Sequence, residues 1–178
     1  MQRFLTLLLA IALLFAPGAA VARSADHADA FNGAEINWRD TKSGIYEASK
    51  TGRPVIMVLH ATWCSACKRY RSVFKDPAIV AAAKDFVMIL VDADKEKEIN
   101  GAFSSDGTYV PRTLFIDPEG NVSETFVGRD PKYPHTIDSD HPDELLALMN
   151  KARALGFGRA PADGAPVEDN AAKADQRT

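Results

Sequence analysis

Two continuous apolar runs stand out in the pattern of hydrophobic and polar residues along the chain. They cover residues 55–59 and 86–91, and both consist of β-branched or large residues without polar alternation. Such runs are typical of central strands that are covered on both faces. Between them, residues 64–75 have apolar side chains at helical spacing. A helix between two buried strands predicts a parallel pair with a right-handed crossover.

Capping residues delimit three further predicted helices. Each begins after a side chain that can accept a hydrogen bond from a free backbone N–H group, and two of them end at glycines. The helices are one over residues 41–51 after Asp40 or Thr41, one over residues 78–84 after Asp76 and Pro77, and a last one between Ser139 or Asp140 and Gly156.

A strong turn signal, Asp117-Pro118-Glu119-Gly120-Asn121, lies between two short apolar segments. It predicts an antiparallel hairpin formed by residues 112–116 and 122–127. The residues before this hairpin, 92–110, are polar and acidic. We therefore expect a loop there, with one short helix.

The N-terminal segment has the pattern of a secretory signal peptide. Arg3 supplies a positive flank, residues 4–15 are apolar, and Ala20-Val21-Ala22 form a small-residue cleavage site. The apolar core is shorter than the roughly 20 residues that a transmembrane helix needs. We therefore expect cleavage after residue 22, a periplasmic or secreted protein, and no membrane span after cleavage.

The remaining chain divides into one globular domain with polar ends. We predict a flexible leader over residues 23–34, a domain over residues 35–157 and a disordered tail over residues 158–178. The chain is 46% hydrophobic and 25% charged, with a net charge of -3. This charge argues against a nucleic-acid partner or a polybasic membrane-surface protein. We expect a monomer.

Cys64 and Cys67 are the two cysteines of the chain and lie where the first buried strand gives way to a helix. Exported proteins often contain structural disulfides, but both cysteines of this chain belong to one C-x-x-C pair and none is left for a separate structural bridge. The pair is therefore functional or binds a metal. Cys64 would face free backbone N–H groups at the start of the helix, which favour the reactive thiolate. We therefore predict Cys64 as the attacking thiol and Cys67, one turn later, as the resolving thiol of a Cys64–Cys67 disulfide.

A metal site is the main alternative to redox chemistry. His60 precedes the cysteines by four residues, so His60, Cys64 and Cys67 could bind zinc or copper. A structural zinc site would need a fourth ligand, and the other histidines lie at spacings that are unusual for metal sites. For the redox function we expect no bound cofactor and no metal.

The predicted element order and three motifs resemble the thioredoxin superfamily. The motifs are the C-x-x-C pair at a strand-to-helix junction, Trp63 before it with Lys68 after it, and Val110-Pro111 further along. The resemblance implies a three-layer α/β fold with a mixed central sheet and helices on both faces. It also implies a cis Val110–Pro111 peptide bond, where the backbone of Val110 meets an extended substrate peptide.

Two groups within this superfamily are especially similar. The segments His60-x-x-Trp63-Cys64-x-Ala66-Cys67-Lys68 and Phe103-Ser104-x-Asp106-Gly107-x-Tyr109-x-Pro111-Arg112 resemble the small single-domain thioredoxin of the endoplasmic reticulum and its anterior-gradient relatives. The cysteine motif and Phe74-x-Asp76-Pro77 also resemble the thiol-donating domain of the periplasmic carrier DsbD. These likenesses imply a protein thiol–disulfide oxidoreductase that needs a redox partner protein, or a peptide-binding module with an unused cysteine pair.

Several side chains near the cysteines are candidates for supporting roles. His60 is either a hydrogen-bonded core histidine or a group that holds the Cys64 thiolate and moves its proton. Trp63 is expected as a partly exposed platform beside the thiols, and Tyr109 and Arg112 as residues lining a substrate groove. Val58 and Met88 stand where thioredoxins carry a buried acid and a lysine, and Ser72 where they carry a proline. The direction of electron flow stays open.

Overall fold

Four strands form one mixed sheet in the computed structural model, which describes residues 25–158. The sheet has the order β1-β3-β2-β4; β1 and β2 run parallel to β3, and β4 runs antiparallel to β2. The strands are Trp38–Arg39 (β1), Val55–His60 (β2), Val87–Asp92 (β3) and Arg112–Ile116 (β4). The parallel β2–β3 pair confirms the prediction made from the two apolar runs.

Helices cover both faces of this sheet. The helices of the described residues are Thr41–Thr51 (α1), Ser65–Tyr70 (α2), Pro77–Ala83 (α3), Lys97–Ala102 (α4) and Pro142–Ala154 (α5). Successive strand residues point to opposite faces. Met57 and Leu59 accordingly pack with Ala48 of α1, whereas Ile56 and Val58 pack with residues of α2, α3 and α5. The predicted three-layer α/β fold is confirmed.

The helix ends follow the capping chemistry of the sequence. The Asp40 carboxylate accepts a hydrogen bond from Ser43 N at 2.8 Å, and the Asp76 carboxylate accepts one from Ala78 N at 2.7 Å. After α5, Phe157 N donates to Ala152 O at 2.9 Å around Gly156, which has a positive φ of 66°. This arrangement satisfies the last carbonyl groups of the helix. One cap was predicted wrongly, because His141, and not Ser139 or Asp140, precedes α5.

The first described residues are packed onto the domain, so the predicted flexible leader is wrong for residues 25–34. A 3-10 turn, Ala28–Phe31, places the Phe31 side chain in the core, where it is fully buried. Trp38 Nε1 donates to Phe31 O at 2.7 Å. Phe31, an aromatic side chain among mostly small and polar residues, thus holds this segment against the core. The rest of the leader, the signal peptide and the tail from residue 159 lie outside the described residues.

Two other predictions need correction. Residues 122–127 form no strand; a single bridge between Ile116 and Val122 is what pairs them with β4. The helix expected over residues 64–75 ends at Tyr70, and a separate 3-10 turn, Val73–Lys75, follows it. Local turn signals and periodicity locate these segments but do not determine how far the backbone pairing extends.

A substitution at Gly44 tests how closely α1 approaches the sheet. A Cβ atom at Gly44 would overlap the side chain of Ile89, whereas one at Gly101 in α4 would meet nothing within 4 Å. Alanine in a helix normally gains roughly 0.5–1 kcal/mol over glycine. For Gly44→Ala we expect a net loss of stability of about 1 kcal/mol or more, because overpacking costs roughly 1–3 kcal/mol.

Gly101→Ala is the matched control and should leave stability unchanged or raise it. Urea unfolding followed by circular dichroism measures both variants. Equal midpoints for the two variants would contradict the tight α1–β3 contact.

Candidate functional site

The cysteine pair follows β2, with Cys64 in the turn that leads into α2 and Cys67 in the first turn of α2. Cys64 is the N-cap residue of α2, and its Sγ accepts a hydrogen bond from Cys67 N at 3.0 Å. Cys64 and Cys67 are joined by a disulfide, with their Cα atoms 5.2 Å apart. The strand therefore ends at the reactive group, and the first turn of the helix holds its geometry.

The two sulfur-bearing residues differ in access to solvent. Cys64 keeps 5% of its surface exposed, whereas Cys67 is fully buried. Both pack against the buried Ala61, with Ala66 and Val110 at the edge of this small cluster. A molecule approaching from solvent consequently meets Cys64 first.

The segment before β4 forms the second wall of the site. The Val110–Pro111 peptide bond is cis. The Val110 carbonyl oxygen lies 3.6 Å from Cys64 Sγ, and the carbonyl of the buried Pro111 accepts a hydrogen bond from Thr136 Oγ1 at 3.0 Å. The structure thus brings Cys64, Cys67, Val110 and Pro111 together.

Trp63 lies beside the disulfide with 68% of its surface exposed. Its Nε1 donates a hydrogen bond to Asp94 Oδ2 at 2.7 Å. The indole ring is therefore tethered at one edge while its face stays open to solvent. Such an exposed aromatic surface is suited to contact with a partner.

A cleft of about 410 Å³ continues from the disulfide along α2. Ala66, Arg69 and Tyr70 form one wall, Pro111 borders it, and residues of the loop 129–139 form the other wall. The buried Glu144 carboxylate holds this loop at both ends, because it accepts hydrogen bonds from Arg129 N at 2.8 Å and Asp138 N at 3.0 Å.

The core beneath the disulfide carries apolar side chains at the two positions where thioredoxins carry a charged pair. Val58 and Met88 are both buried and belong to the same apolar cluster as Tyr70 and Phe74. Tyr70 bonds to Thr113 through their hydroxyl groups at 2.7 Å, and burial raises the pKa of Tyr70. No acid or lysine from these positions therefore reaches the cysteines.

His60 is fully buried at the end of β2, yet neither ring nitrogen has a hydrogen-bond partner among the described residues. Its ring packs 4.8 Å from the ring of Phe31 and 5.5 Å from that of His27. His60 is thus a core residue that packs against aromatic rings. A hydrogen bond from His60 to Cys64 is also absent from the described structure.

Burial lowers the pKa of His60 from 6.5 to about 4. Asp92, which faces His60 across the β2–β3 register, opposes this shift, while His27 and Arg71 add to it. Asp92 is itself buried and lies 3.2 Å from His27 Nε2. The imidazole of His60 is accordingly neutral at pH 7.

Arg112 is fully buried, so the expectation that it lines a surface groove is wrong. Its guanidinium donates to the carbonyl oxygens of Phe103, Gly107 and Asn100 and to the Asn100 side chain. Burial lowers the pKa of Arg112, and nearby Asp106 opposes this effect. The side chain ties the segment after β3 to the start of β4.

Tyr109 is half-buried and belongs to a hydrogen-bonded cluster that sequence reasoning missed. Its hydroxyl donates to Asp106 Oδ2 and accepts from His135 N at 3.0 Å. Asp106 Oδ2 also contacts His135 Nδ1 at 2.9 Å. The Asp106-Gly107-x-Tyr109 spacing indicated a turn, but His135 lies too far along the chain for any local pattern to connect them.

The metal alternative has no geometric support in the part of the chain that the structure describes. No three His, Cys, Asp or Glu side chains of residues 25–158 are arranged to hold a metal ion. The His60 ring packs against Phe31 in the core, and the two cysteine sulfur atoms are bonded to each other. These three residues therefore do not form a metal site in this structure.

Comparison with known proteins places this site in a family. Residues 37–118 match the thioredoxin-like family. Anterior gradient protein 3 of Xenopus tropicalis is 33% identical over 124 residues, which cover 67% of this chain and 73% of the relative. The chain belongs to the thioredoxin superfamily.

Two solved structures have the same fold. A thioredoxin from Thermus thermophilus is 23% identical with a TM-score of 0.51, over 73% of this chain and 99% of that one. A disulphide isomerase from Xylella fastidiosa Temecula1 is 19% identical with a TM-score of 0.50, over 76% and 99%. Superfamily membership together with the C-x-x-C disulfide identifies the protein as a thiol–disulfide oxidoreductase, as the sequence predicted.

In residues 25–158, none of the helices has the length and apolar character needed to cross a bilayer.

His60→Leu should make stability less dependent on pH. The unfolded chain binds a proton at His60 near pH 6.5 and the folded chain only near pH 4, so unfolding takes up a proton between these values. The stability that His60 contributes as a neutral group is complete above pH 6.5. It falls by on the order of 3 kcal/mol as the pH drops to 4.

Urea unfolding of the wild type and of His60→Leu at pH 7 and pH 4.5 measures this difference. His141→Leu, at an exposed histidine, is the control for the replacement of a histidine by leucine outside the core. If His60→Leu loses as much stability on acidification as the wild type, the lowered pKa is wrong.

Proposed function

We propose that this protein is an exported oxidoreductase that exchanges disulfides with protein substrates, with Cys64 as the attacking and Cys67 as the resolving residue. The observation that carries the proposal is the Cys64–Cys67 disulfide at the end of β2, directly opposite the Val110–Pro111 segment. A redox partner protein completes the cycle.

The assignment of roles rests on exposure and hydrogen bonding. Cys64 is the less buried of the two cysteines, with 5% of its surface exposed, and its Sγ already accepts a hydrogen bond from Cys67 N. The same N–H group would stabilise a thiolate at Cys64, and the thiolate is the form that attacks. Cys67 is buried and reaches only Cys64, which suits a thiol that resolves an intermediate.

The exchange proceeds in two steps that conserve electrons. In the reducing direction, the Cys64 thiolate attacks one sulfur of a substrate disulfide, forming a mixed disulfide and releasing one substrate thiolate. The Cys67 thiolate then attacks Cys64 Sγ, which closes the Cys64–Cys67 bond and releases the second substrate thiolate. Two electrons have passed to the substrate. In the oxidising direction, a substrate dithiol reverses both steps.

The surface around Cys64 supports a polypeptide substrate. The Val110 backbone lies within 4 Å of Cys64 Sγ, where an extended peptide could pair with it. Trp63 offers an exposed apolar face on one side, and the cleft along α2 continues on the other. A small thiol would use little of this surface.

Export is proposed from the N-terminal sequence. The segment of Arg3, residues 4–15 and Ala20-Val21-Ala22 has the three parts of a signal peptide. Export would bring the cysteine pair into the periplasm or outside the cell, where disulfides persist.

Replacing each cysteine separately should give two different defects. We expect Cys64→Ser to lose disulfide exchange with insulin completely, since the attacking sulfur is gone. Cys67→Ser should instead accumulate a mixed disulfide through Cys64, because no thiol resolves it. Turbidity from insulin reduction and non-reducing electrophoresis measure the two outcomes.

Ser65→Ala, at an exposed position between the two cysteines, is the matched control, because it keeps both sulfur atoms and should therefore retain disulfide exchange. A Cys64→Ser variant as active as the wild type would sink the proposal. The reduction potential then gives the direction, since a value near about -270 mV indicates a reductant and one near about -120 mV an oxidant.

Processing of the full chain should produce a protein that begins at Arg23. Expression in a Gram-negative bacterium, followed by intact-mass analysis of the periplasmic fraction, measures the mature N-terminus. Ala22→Phe should block cleavage because the site requires a small residue, whereas Val21→Phe at the neighbouring position should be processed. Recovery of the wild type with residues 1–22 attached would contradict cleavage.

A further inference from the structure

A compact polar cluster flanks the Val110–Pro111 segment. It consists of Asp106, Tyr109, Arg112 and His135. Arg112 is fully buried, His135 is 2% exposed and Asp106 is 20% exposed. We refer to these four residues as the brace cluster.

The Asp106 carboxylate is the centre of the brace cluster. Its Oδ2 accepts a hydrogen bond from the Tyr109 hydroxyl and contacts His135 Nδ1 at 2.9 Å, and its Oδ1 lies 3.9 Å from the Arg112 guanidinium. Partial burial alone would raise the pKa of Asp106, but the hydrogen bonds from Tyr109 and His135 outweigh it and lower that pKa. The carboxylate is therefore ionised at neutral pH and holds both donors.

The brace cluster ties residues 100–113 together and joins them to the loop before α5. Arg112 binds the carbonyl oxygens of Asn100, Phe103 and Gly107 in the segment after β3. His135 comes from the loop between Val122 and α5, and its carbonyl accepts a hydrogen bond from Thr113 N at 2.7 Å.

Hydrogen bonds from these segments fix the residues on both sides of Val110. Tyr109 is held through its hydroxyl by Asp106 and by His135 N. Pro111 is held through its carbonyl by Thr136 Oγ1, the neighbour of His135. Val110 itself projects toward Cys64, with its carbonyl oxygen 3.6 Å from Sγ. Its position thus depends on contacts made by its neighbours.

We propose that Asp106 and His135 are positioning residues for disulfide exchange, holding the Val110 backbone where a substrate peptide must lie to present its sulfur to Cys64. The inference rests on the proposed function. A displacement of about 1 Å from a reactive geometry can cost about a hundredfold in rate. Loss of the Asp106–His135 contact therefore slows exchange with peptides. Exchange with a small dithiol, which makes no backbone contact, continues.

The variants Asp106→Asn and His135→Leu test this role. Asp106→Asn removes the charge that holds Tyr109 and His135, and His135→Leu removes the donor. His135→Asn is the conservative variant, since its amide keeps a donor close to the position of Nδ1. Glu47→Gln is the matched control, because Glu47 is also 20% exposed and ion-paired, with Arg39 and Arg53, but lies on α1.

The measurements compare two reducing substrates with the oxidised protein. One is a reduced peptide with two cysteines, and the other is dithiothreitol. We expect Asp106→Asn and His135→Leu to lower the rate constant for the peptide about tenfold or more while the dithiothreitol rate stays within about twofold. His135→Asn should recover part of the peptide rate, and the reduction potential of the cysteine pair should not change.

Three results would overturn the inference: equal losses with both substrates, no loss with the peptide, or a peptide rate for Glu47→Gln as low as that of Asp106→Asn. If Asp106→Asn does not fold, His135→Leu and His135→Asn are compared instead. The deciding quantity is again the ratio of the peptide rate to the dithiothreitol rate. A wild type that exchanges with neither substrate would refute the proposed function itself. A wild type that exchanges with both leaves the proposed function standing, whatever the variants do.

Discussion

Complete burial of β2 is the constraint on which the site depends. All six residues of Val55–His60 are buried, and the strand pairs with β3 on one side and β4 on the other. Because both neighbours fix its register, the chain leaves the sheet at one defined point, and Cys64 follows there. The same register pairs Leu59 with Arg112, so Pro111 comes to lie beside the end of β2. The cysteines and the cis proline thus meet as a consequence of strand pairing.

The polar groups of the site are separated from its reactive sulfur atoms. Cys64 and Cys67 contact small or apolar neighbours, while Val58 and Met88 keep the core below them free of charge. Hydrogen-bonding groups are concentrated next to the Val110–Pro111 segment instead, and the hydrogen bonds made there restrict the geometry of its neighbours. The reactive sulfur atoms and the hydrogen-bonding groups of the site therefore belong to different sets of residues.

The sequence predicts those features that depend on neighbouring residues. The apolar run of β2, the Asp40 and Asp76 caps and the C-x-x-C spacing are local patterns, and each has its expected place in the fold. Phe31 and His135 were missed because their partners lie elsewhere in the chain. Arg112 was misassigned to a groove, since an arginine is usually exposed, and no local pattern shows that the loop of residues 100–107 folds its carbonyl groups around the guanidinium.

Hydrogen bonds to the outer edge of β4 have a consequence for association with other chains. Thr113 N donates to His135 O at 2.7 Å, and Ser123 N donates to Phe115 O at 2.8 Å, so this edge is occupied by the protein's own loops. An unprotected edge strand is a template for addition of a foreign strand and for aggregation. Because the protein's own loops already occupy the outer edge of β4, a foreign strand has no free backbone groups with which to extend the sheet at Thr113 and Phe115.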